Sequence, residues 1–370
     1  MRYCSILCRA VCALLLGSLA ANTFAQAGES VPLNADENAG VEHVWRFAQE
    51  TESRSSLPRA VDASWIENAR LGTLQLHGCA AALVSADGLA VTSATCLRSL
   101  ETWIRPDDSV FVAGTPSDER NLPGLTVRQL VEIREFTRIE DASEDMETGF
   151  EAELIAADDS SAFWEYVWRT YSDVRLVVIP PADVTDFGNE DGVYPRHAID
   201  FALFRVYDSE GQLLDTESYF AWNDRSPFVR ERLFATAFDA NTPFTVMTVS
   251  DTFSYNGTIS PPYTTLYGML DQYYSHGATG AWELTEDWLS GIKETDLATV
   301  LNFSVVGECA QTGAGLINVD MEILGIAFDN ANTEQGTHCV AMSTSGILAL
   351  LRTVLNAEGV ADELAEQALP

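Results

Sequence analysis

The chain has 370 residues and a formal net charge of −34, because 55 acidic residues outnumber 21 basic ones, of which Lys293 is the single lysine. This charge excludes nucleic acid and anionic membrane surfaces as expected partners, since phosphate binding needs clustered basic residues. We interpret the acidic residues as solubilising, and a saline habitat or a basic partner are the two explanations that stay open.

The N-terminus has the pattern of a secretory signal peptide. Two arginines lie in residues 1–9, a short apolar run follows in residues 10–20, and small residues surround a cleavage position after Ala25. A membrane anchor, the alternative, would need about 20 consecutive apolar residues. We therefore expect residues 1–25 to be removed and the mature protein to be periplasmic or secreted, with no membrane span.

The elements after the signal peptide begin with helices and a hairpin. Residues 40–54 have apolar side chains spaced for one face of a helix, and residues 64–78 pass from a short helix into a strand. Residues 79–96 predict a β-hairpin with its turn at residues 86–88. The strongly acidic residues 139–160 predict a solvated helix face and not a calcium loop.

The remainder of the chain is rich in predicted strands. Runs of β-branched and aromatic residues predict buried strands at residues 172–181, 198–207, 243–250 and 322–329. Residues 346–369 predict a packed helix with a break at Gly359. This arrangement favours a mainly β protein built from two barrels or sandwiches.

Four cysteines remain after the signal peptide, namely Cys79, Cys96, Cys309 and Cys339. An even number in an oxidising compartment predicts two disulfides, and three pairings are possible. A Cys79–Cys96 bond would cross-link the hairpin, and a Cys309–Cys339 bond would close a loop in the last third of the chain.

Several blocks of the chain, in the same order, resemble the bacterial dipeptidyl peptidases 7 and 11. The blocks are WIENARLGTLQL, VSADGLAVT, DVRLVVIPPADVTDFG, YPRHAIDFALFRVY, PPYTTLYGM and ILGIAFD. These enzymes are exported serine peptidases that release dipeptides from peptide N-termini. The resemblance implies a chymotrypsin-like double β-barrel, which the family caps with a large inserted helical domain.

The resemblance also divides the chain into segments. It implies an N-terminal arm (26–64), a first barrel with the histidine and aspartate positions (65–215), a second barrel with the nucleophile position (216–342) and a C-terminal helix (343–370). Only about 45 residues separate residue 255 from residue 302, where the family has its helical domain. We therefore expect that domain to be absent.

The family's catalytic triad is only partly present. Asp200 matches the carboxylate that orients the base. Thr95 occupies the position of the catalytic histidine, and a hydroxyl has no proton affinity near neutral pH. Alignment on ILGIAFD places Thr312 at the position of the nucleophilic serine, whereas alignment on residues 302–303 places Ala314 there.

The family's oxyanion hole and amine clamp are changed as well. The backbone N–H groups of the oxyanion hole would come from Ala310 and Thr312, and Ala310 replaces a glycine of the family. The positions that hold the substrate's free N-terminal amine in the family are Asp191 and Gly192 here.

Two histidines are candidates for a functional role, His197 as a catalytic base and His338 as a metal ligand. His197 corresponds to a structural neighbour of the family's aspartate and is not expected to act in catalysis. His338 lies beside Cys339, and a cysteine in a disulfide is no metal ligand. No metal or cofactor is expected.

These substitutions predict an exported pseudopeptidase that retains a cleft for a peptide or a partner protein. Removal of triad members lowers kcat of a serine peptidase by roughly 10⁴–10⁶. One alternative is an active dipeptidyl peptidase or aminopeptidase with a rearranged site, which needs an imidazole within about 3 Å of a hydroxyl or thiol. The other is an acidic, salt-adapted interaction protein without cleft function.

Overall fold

The computed structural model describes residues 43–45, 61–99, 110–136, 146, 148–156, 163–189, 194–236, 244–309 and 311–366. The predicted signal peptide lies outside these residues, as do Asp191, Gly192 and Ala310. None of the helices in the described ranges has the length and apolar character that a membrane crossing requires.

Strands are the main regular element of the described chain. In chain order they are β1 (His43–Trp45), β2 (Thr73–Leu76), β3 (Cys79–Leu83), β4 (Leu89–Thr92), β5 (Phe111–Val112), β6 (Arg120–Asn121), β7 (Val127–Phe136), β8 (Phe150–Ala156), β9 (Phe163–Tyr171), β10 (Val174–Ile179), β11 (Ala202–Val206), β12 (Ala221–Trp222), β13 (Arg232–Thr236), β14 (Phe244–Val249), β15 (Phe253–Tyr255), β16 (Thr258–Ser260), β17 (Tyr263–Thr265), β18 (Val300–Val306), β19 (Gly315–Ile317), β20 (Glu322–Thr333) and β21 (Gly336–Ser343).

The described helices are short and lie between or after the strands. They are α1 (Ala63–Leu71), α2 (Ala94–Arg98), α3 (Ala182–Thr185), α4 (Leu266–Ser275), α5 (Glu286–Glu294), α6 (Thr344–Thr353) and α7 (Glu358–Glu366). Asp62 begins α1 with an N-cap, because its side chain accepts a hydrogen bond of 2.9 Å from the backbone N–H of Trp65.

Two sheets contain nearly all of the described strands. The first has the strand order β5-β10-β11-β4-β3-β2-β7-β9-β8, with β6 paired to β10. In the second, β14, β13, β19, β20 and β21 lead to β18, which pairs back to β14. These six strands form a closed barrel, and closure leaves no unpaired edge in the ring.

The predicted hairpin of residues 79–96 is confirmed as β3 and β4, followed by α2. Both strands are buried on both faces, which explains their continuous apolar run. Gly88 in the turn has a φ of +81°, and a Cβ there would lie 2.5 Å from the backbone oxygen of Val206. Only glycine fits this turn, because both the backbone conformation and the space exclude a side chain.

The two sheets meet at the hairpin. The backbone N–H of Ala80 in β3 donates a hydrogen bond of 2.9 Å to the backbone oxygen of Thr312, just before β19. A Cβ at Gly315 would lie 3.0 Å from the Cβ of Ala82. Thr312 therefore lies directly against the hairpin that leads to Thr95.

Two disulfides are confirmed. One joins Cys79 to Cys96 and the other joins Cys309 to Cys339. The first links the start of β3 to α2, and the second links β21 to the segment that precedes Thr312. The first bond thus anchors the segment that contains Thr95, and the second anchors the segment that contains Thr312.

The two predicted helices in acidic or polar segments are wrong where the structure describes them. Residues 43–45 form β1, which extends the second sheet by pairing with β14. Residues 150–156 form β8, which pairs with β9 along its whole length. In both places a neighbouring strand has ladder groups free to pair: β14 over residues 244–246, which β18 does not reach, and β9 along its outer side. Tertiary pairing therefore overrides local preference.

The predicted break at Gly359 is also wrong. Helix α6 ends at Thr353, and Gly359 lies inside α7. Between them Asn356 has a φ of +51°, a left-handed conformation that asparagine tolerates better than most residues. The chain therefore turns at Asn356 and not at the glycine.

The segment where the resemblance predicted a missing helical domain is fully described. Residues 250–299 contain the small hairpin β15–β16, strand β17, helices α4 and α5 and one 3₁₀ turn at Gly280–Trp282. These elements are too few for a large helical cap, and the prediction of its absence holds.

Candidate active site

The centre of the site is the carboxylate of Asp200, which is 3% exposed. Its Oδ1 accepts hydrogen bonds from Ser93 Oγ at 2.9 Å and from the backbone N–H of Thr95 at 3.0 Å. Its Oδ2 accepts a hydrogen bond from Thr95 Oγ1 at 2.8 Å. The donors all come from the beginning of α2, so the hairpin and the Asp200 segment are joined by this carboxylate.

Two opposing effects act on the pKa of Asp200. Burial raises it above the usual range, and the hydrogen bonds from Thr95, Ser93 and the backbone N–H of Ala94 oppose that shift. Burial is the stronger effect. Every donor is a neutral hydroxyl or amide, so no positive charge faces the carboxylate from these residues.

Thr95, the residue that the sequence comparison assigns to the histidine position, contacts Asp200 through its hydroxyl. The residue is exposed, yet its Oγ1 donates to Asp200 as a catalytic histidine would donate its ring N–H. A threonine hydroxyl cannot take a proton near neutral pH. The Asp200 carboxylate is therefore held by hydroxyl and amide donors.

Thr312 lies beside this arrangement and is half-buried. Its backbone oxygen lies 3.5 Å from the disulfide sulfur of Cys96, the residue after Thr95. The next residue, Gly313, has a φ of +83°, and a Cβ there would lie 2.2 Å from the backbone oxygen of Ala80. The turn at residues 311–313 thus requires glycine at its last position.

The other predicted nucleophile position, Ala314, has a different environment. Its side chain is fully buried and packs in one cluster with Ala80 of the first sheet and with Leu316 and other residues of the closed barrel. Ala314 has no hydroxyl and no access to solvent. Of the two positions, Thr312 is the one with a hydroxyl and with partial exposure to solvent.

One imidazole–hydroxyl pair exists among the described residues. Ser250 Oγ and His338 Nδ1 are 2.9 Å apart. However, Ser250 is 1% exposed and His338 is 2% exposed, and burial lowers the pKa of His338. Both side chains of this pair are therefore buried away from solvent.

His197 is not a base in the site either. It is 9% exposed, and burial lowers its pKa to about 4. Its Nε2 would lie 2.7 Å from a Cβ at Gly268 in α4, which shows how tightly the ring is packed. The structure therefore brings Asp200, Thr95 and Thr312 into one region, without an imidazole from His197 or His338.

Sequence reasoning missed the residues that hold the Asp200 segment in place. Arg196 is buried, donates to Asn189 Oδ1 at 2.9 Å and lies 3.4 Å from Asp329 Oδ2. Its backbone oxygen accepts hydrogen bonds from Thr264 Oγ1 and Asn302 Nδ2. The available signal was Asn302 itself, a polar residue within the apolar strand VLNFSVV.

The described residues do not form a group of three or more His, Cys, Asp or Glu side chains able to hold a metal ion.

The closed six-stranded barrel, the two sheets that meet at the hairpin and the buried aspartate define a chymotrypsin-like serine peptidase fold. The family model for peptidase S46 matches residues 45–160, 137–243 and 238–366. The chain therefore belongs to the peptidase S46 family.

Individual relatives match over shorter stretches. Dipeptidyl-peptidase 7 of Porphyromonas gingivalis is 28% identical over 164 residues, which are 35% of this chain and 23% of the relative. The Asp/Glu-specific dipeptidyl-peptidase of Capnocytophaga gingivalis is 43% identical over 51 residues, 13% of this chain and 7% of the relative. The matched stretches thus span less than a quarter of the length of these curated relatives.

A solved structure agrees in fold. The DPP11 of Porphyromonas endodontalis, crystallised in complex with the dipeptide Arg-Glu, superposes with a TM-score of 0.68 at 10% sequence identity. The superposition covers 80% of this chain and 94% of that chain. At this identity the likeness establishes the shared fold alone.

Proposed function

We propose that this protein is a catalytically inactive member of the peptidase S46 family that retains a cleft for a peptide or a segment of a partner protein. The hydrogen bond from Thr95 Oγ1 to Asp200 Oδ2 carries the proposal, because it satisfies the carboxylate without an imidazole. Without a base, Thr312 has nothing to take its proton, and its methyl group crowds the nucleophile position.

The proposal includes the segment boundaries and the export implied by the sequence. The first barrel would extend over residues 65–215 and the second over residues 216–342, with an arm before them and helices after them. After cleavage behind Ala25, N-terminal sequencing of the exported protein should begin at Gln26.

Hydrolysis is the first test. Purified protein, Thr312→Ala and Asp200→Ala would be assayed with dipeptidyl fluorogenic substrates and a fluorophosphonate probe. Dipeptidyl-peptidase 7 of Porphyromonas gingivalis would serve as positive control, and circular dichroism would establish folding. We expect all three forms of this chain to be silent. Turnover in the wild type that either substitution abolishes would contradict the proposal.

Binding is the second test. Peptides with free N-termini are the first ligands to try, because the related DPP11 was crystallised with a dipeptide. Thr312→Trp should fill the cleft and weaken peptide binding at least about tenfold, equal to 1.4 kcal/mol. Thr258→Trp, on the exposed strand β16, is the matched control.

Equal affinity of Thr312→Trp and the wild type would place any bound peptide outside the cleft. A steep loss of affinity with rising salt, for both variants alike, would instead support the acidic interaction protein.

A further inference from the structure

Three buried polar atoms belong to residues that line a small cavity between the Asp200 segment and β18. They are Arg196 Nε, Asn302 Oδ1 and Ser304 Oγ, and none of them makes a hydrogen bond to the described protein atoms. Arg196 Nε forms an ion pair with Asp329 Oδ2 at 3.4 Å, but without hydrogen-bond geometry. The three residues are 6%, 1% and 4% exposed. Buried polar groups are nearly always hydrogen-bonded, so three such atoms at one place call for a ligand.

The cavity has the size of one water molecule. Its volume is about 10 Å³, and Arg196, Asn302 and Ser304 line it together with Phe253, Pro262 and Thr264. A buried water needs roughly 10–15 Å³ and two to four polar partners. Asn302 and Ser304 are two residues apart on β18, so their side chains lie on the same face of the strand.

The orientation of the Asn302 amide follows from its other contacts. Its Nδ2 donates to the backbone oxygens of Arg196 at 2.9 Å and of Ala198 at 3.0 Å. Backbone oxygens only accept hydrogen bonds, so the nitrogen must face them and Oδ1 must be the free atom. Thr264 Oγ1 needs no further partner, because it donates to Arg196 O and accepts from the backbone N–H of Asn302.

We propose that one internal water binds in this cavity and bridges Arg196 Nε, Asn302 Oδ1 and Ser304 Oγ. The water accepts from the Arg196 N–H, donates to the Asn302 oxygen and exchanges a hydrogen bond with the Ser304 hydroxyl. The guanidinium disfavours a cation, and the Asn302 oxygen disfavours an anion.

The bound water has a structural consequence for the site. It links β18 to Arg196, four residues before Asp200, alongside the direct bonds from Asn302 to Arg196 and Ala198. Asn302 and Ser304 therefore act as positioning residues for the carboxylate segment. This inference does not depend on whether the protein hydrolyses peptides.

A high-resolution crystal structure of the protein tests the water directly. We expect one ordered oxygen within about 3.2 Å of all three atoms. A dry cavity, in a structure that resolves other buried waters, would overturn the proposal even if no variant were made.

The Ser304→Ala variant gives a second test, because the sign of its effect differs between a wet and a dry cavity. With a water present, loss of its hydrogen bond should raise the unfolding equilibrium constant about fivefold. In a dry cavity the substitution removes an unpaired hydroxyl and should lower that constant. An unchanged or lowered constant counts against the water.

Ser343→Ala is the control for this test. Ser343 is also fully buried, but its hydroxyl is bonded to Ser345 Oγ at 2.6 Å. We expect it to raise the unfolding constant by a similar factor, which would show that the assay detects the loss of one buried hydrogen bond.

Discussion

Asp200 and Arg205 lie five residues apart on one segment, and each is a buried charged group with a different kind of partner. Asp200 is held by hydroxyls and backbone amides. Arg205 is 4% exposed and is bonded to two carboxylates, with Nε 2.9 Å from Glu119 Oε1 and Nη2 2.8 Å from Glu363 Oε2. Neutral hydrogen-bond donors satisfy the carboxylate of Asp200, whereas two carboxylates of opposite charge satisfy the guanidinium of Arg205.

The difference shows that the fold holds the Asp200 carboxylate with neutral donors, without a charged partner. The Arg205 cluster joins the first sheet to α7 and depends on the charge of each member. The Asp200 site needs only hydrogen-bond donors, which Ser93 and Thr95 supply from their own segment. The fold therefore does not require a histidine at position 95, and only catalysis would.

The largest effect is expected at Arg205. Arg205→Met leaves Glu119 and Glu363 without their cation in a buried place, and such a change costs about 3–5 kcal/mol of unfolding free energy. Urea unfolding measures it. Arg230→Met is the matched control, because its ion pair with Asp251 is exposed and should contribute nothing measurable.

Asp200→Asn should have the next largest effect. The amide places an NH₂ group toward donors that formerly faced an oxygen, and an unsatisfied buried donor costs about 1–3 kcal/mol. Unfolding in urea gives the value. A change well below this range would mean that the donors around Asp200 rearrange freely.

Thr95→Val tests the hydroxyl that replaces the imidazole. The substitution keeps the shape of the side chain and removes one hydrogen bond to Asp200, so we expect a loss of about 1 kcal/mol. Thr95→Ser, which keeps the hydroxyl, should stay close to the wild type. Equal losses in both variants would assign the effect to packing instead.

The smallest expected effect is on the pH dependence of the unfolding free energy, to which Glu363 and Asp200 should contribute with opposite sign. Burial raises the pKa of Glu363, but the hydrogen bonds and charge of Arg205 outweigh it, and the net pKa lies below the usual 4.5. The stabilisation of the folded state by ionised Glu363 is therefore present above pH 4.5 and is lost as the pH falls further. Glu363→Gln should flatten the acid limb of the stability curve.

Asp200 should act in the opposite direction. Its raised pKa makes the folded state bind a proton more readily than the unfolded state. Protonation of Asp200 therefore favours the folded state as the pH falls. Asp200→Asn should then steepen the loss of stability in acid. Unfolding in urea between pH 7 and pH 3 compares the wild type with both variants.

The agreement between sequence and structure follows the strength of the local signal. The hairpin at residues 79–92 was predictable because two apolar runs are joined by a turn with Gly88. The strands at 174–179 and 202–206 are rich in branched and aromatic residues. Residues 43–45 were predicted as helix, and their pairing partner at 244–246 is distant in sequence. Residues 150–156 were predicted as helix as well, because their acidic side chains resemble a solvated helix face, although their partner strand follows after six residues.

The site shows the same division. The sequence identified Asp200, Thr95 and Thr312 as one constellation through a family resemblance. It did not indicate that Thr95 donates to Asp200, that Ser250 and His338 form a buried pair, or that Arg196, Asn302 and Ser304 surround a cavity. These contacts join residues that are distant along the chain.

By itself the sequence determined the mainly β fold, an even number of cysteines after residue 25, the strongly acidic charge and the absence of a histidine at position 95. These properties depend on composition and on short-range pattern. Only the tertiary structure decided which cysteines pair, which strands close the barrel and which neutral groups satisfy Asp200. Burial creates that last requirement, because a carboxylate removed from water must find its donors wherever the fold places them.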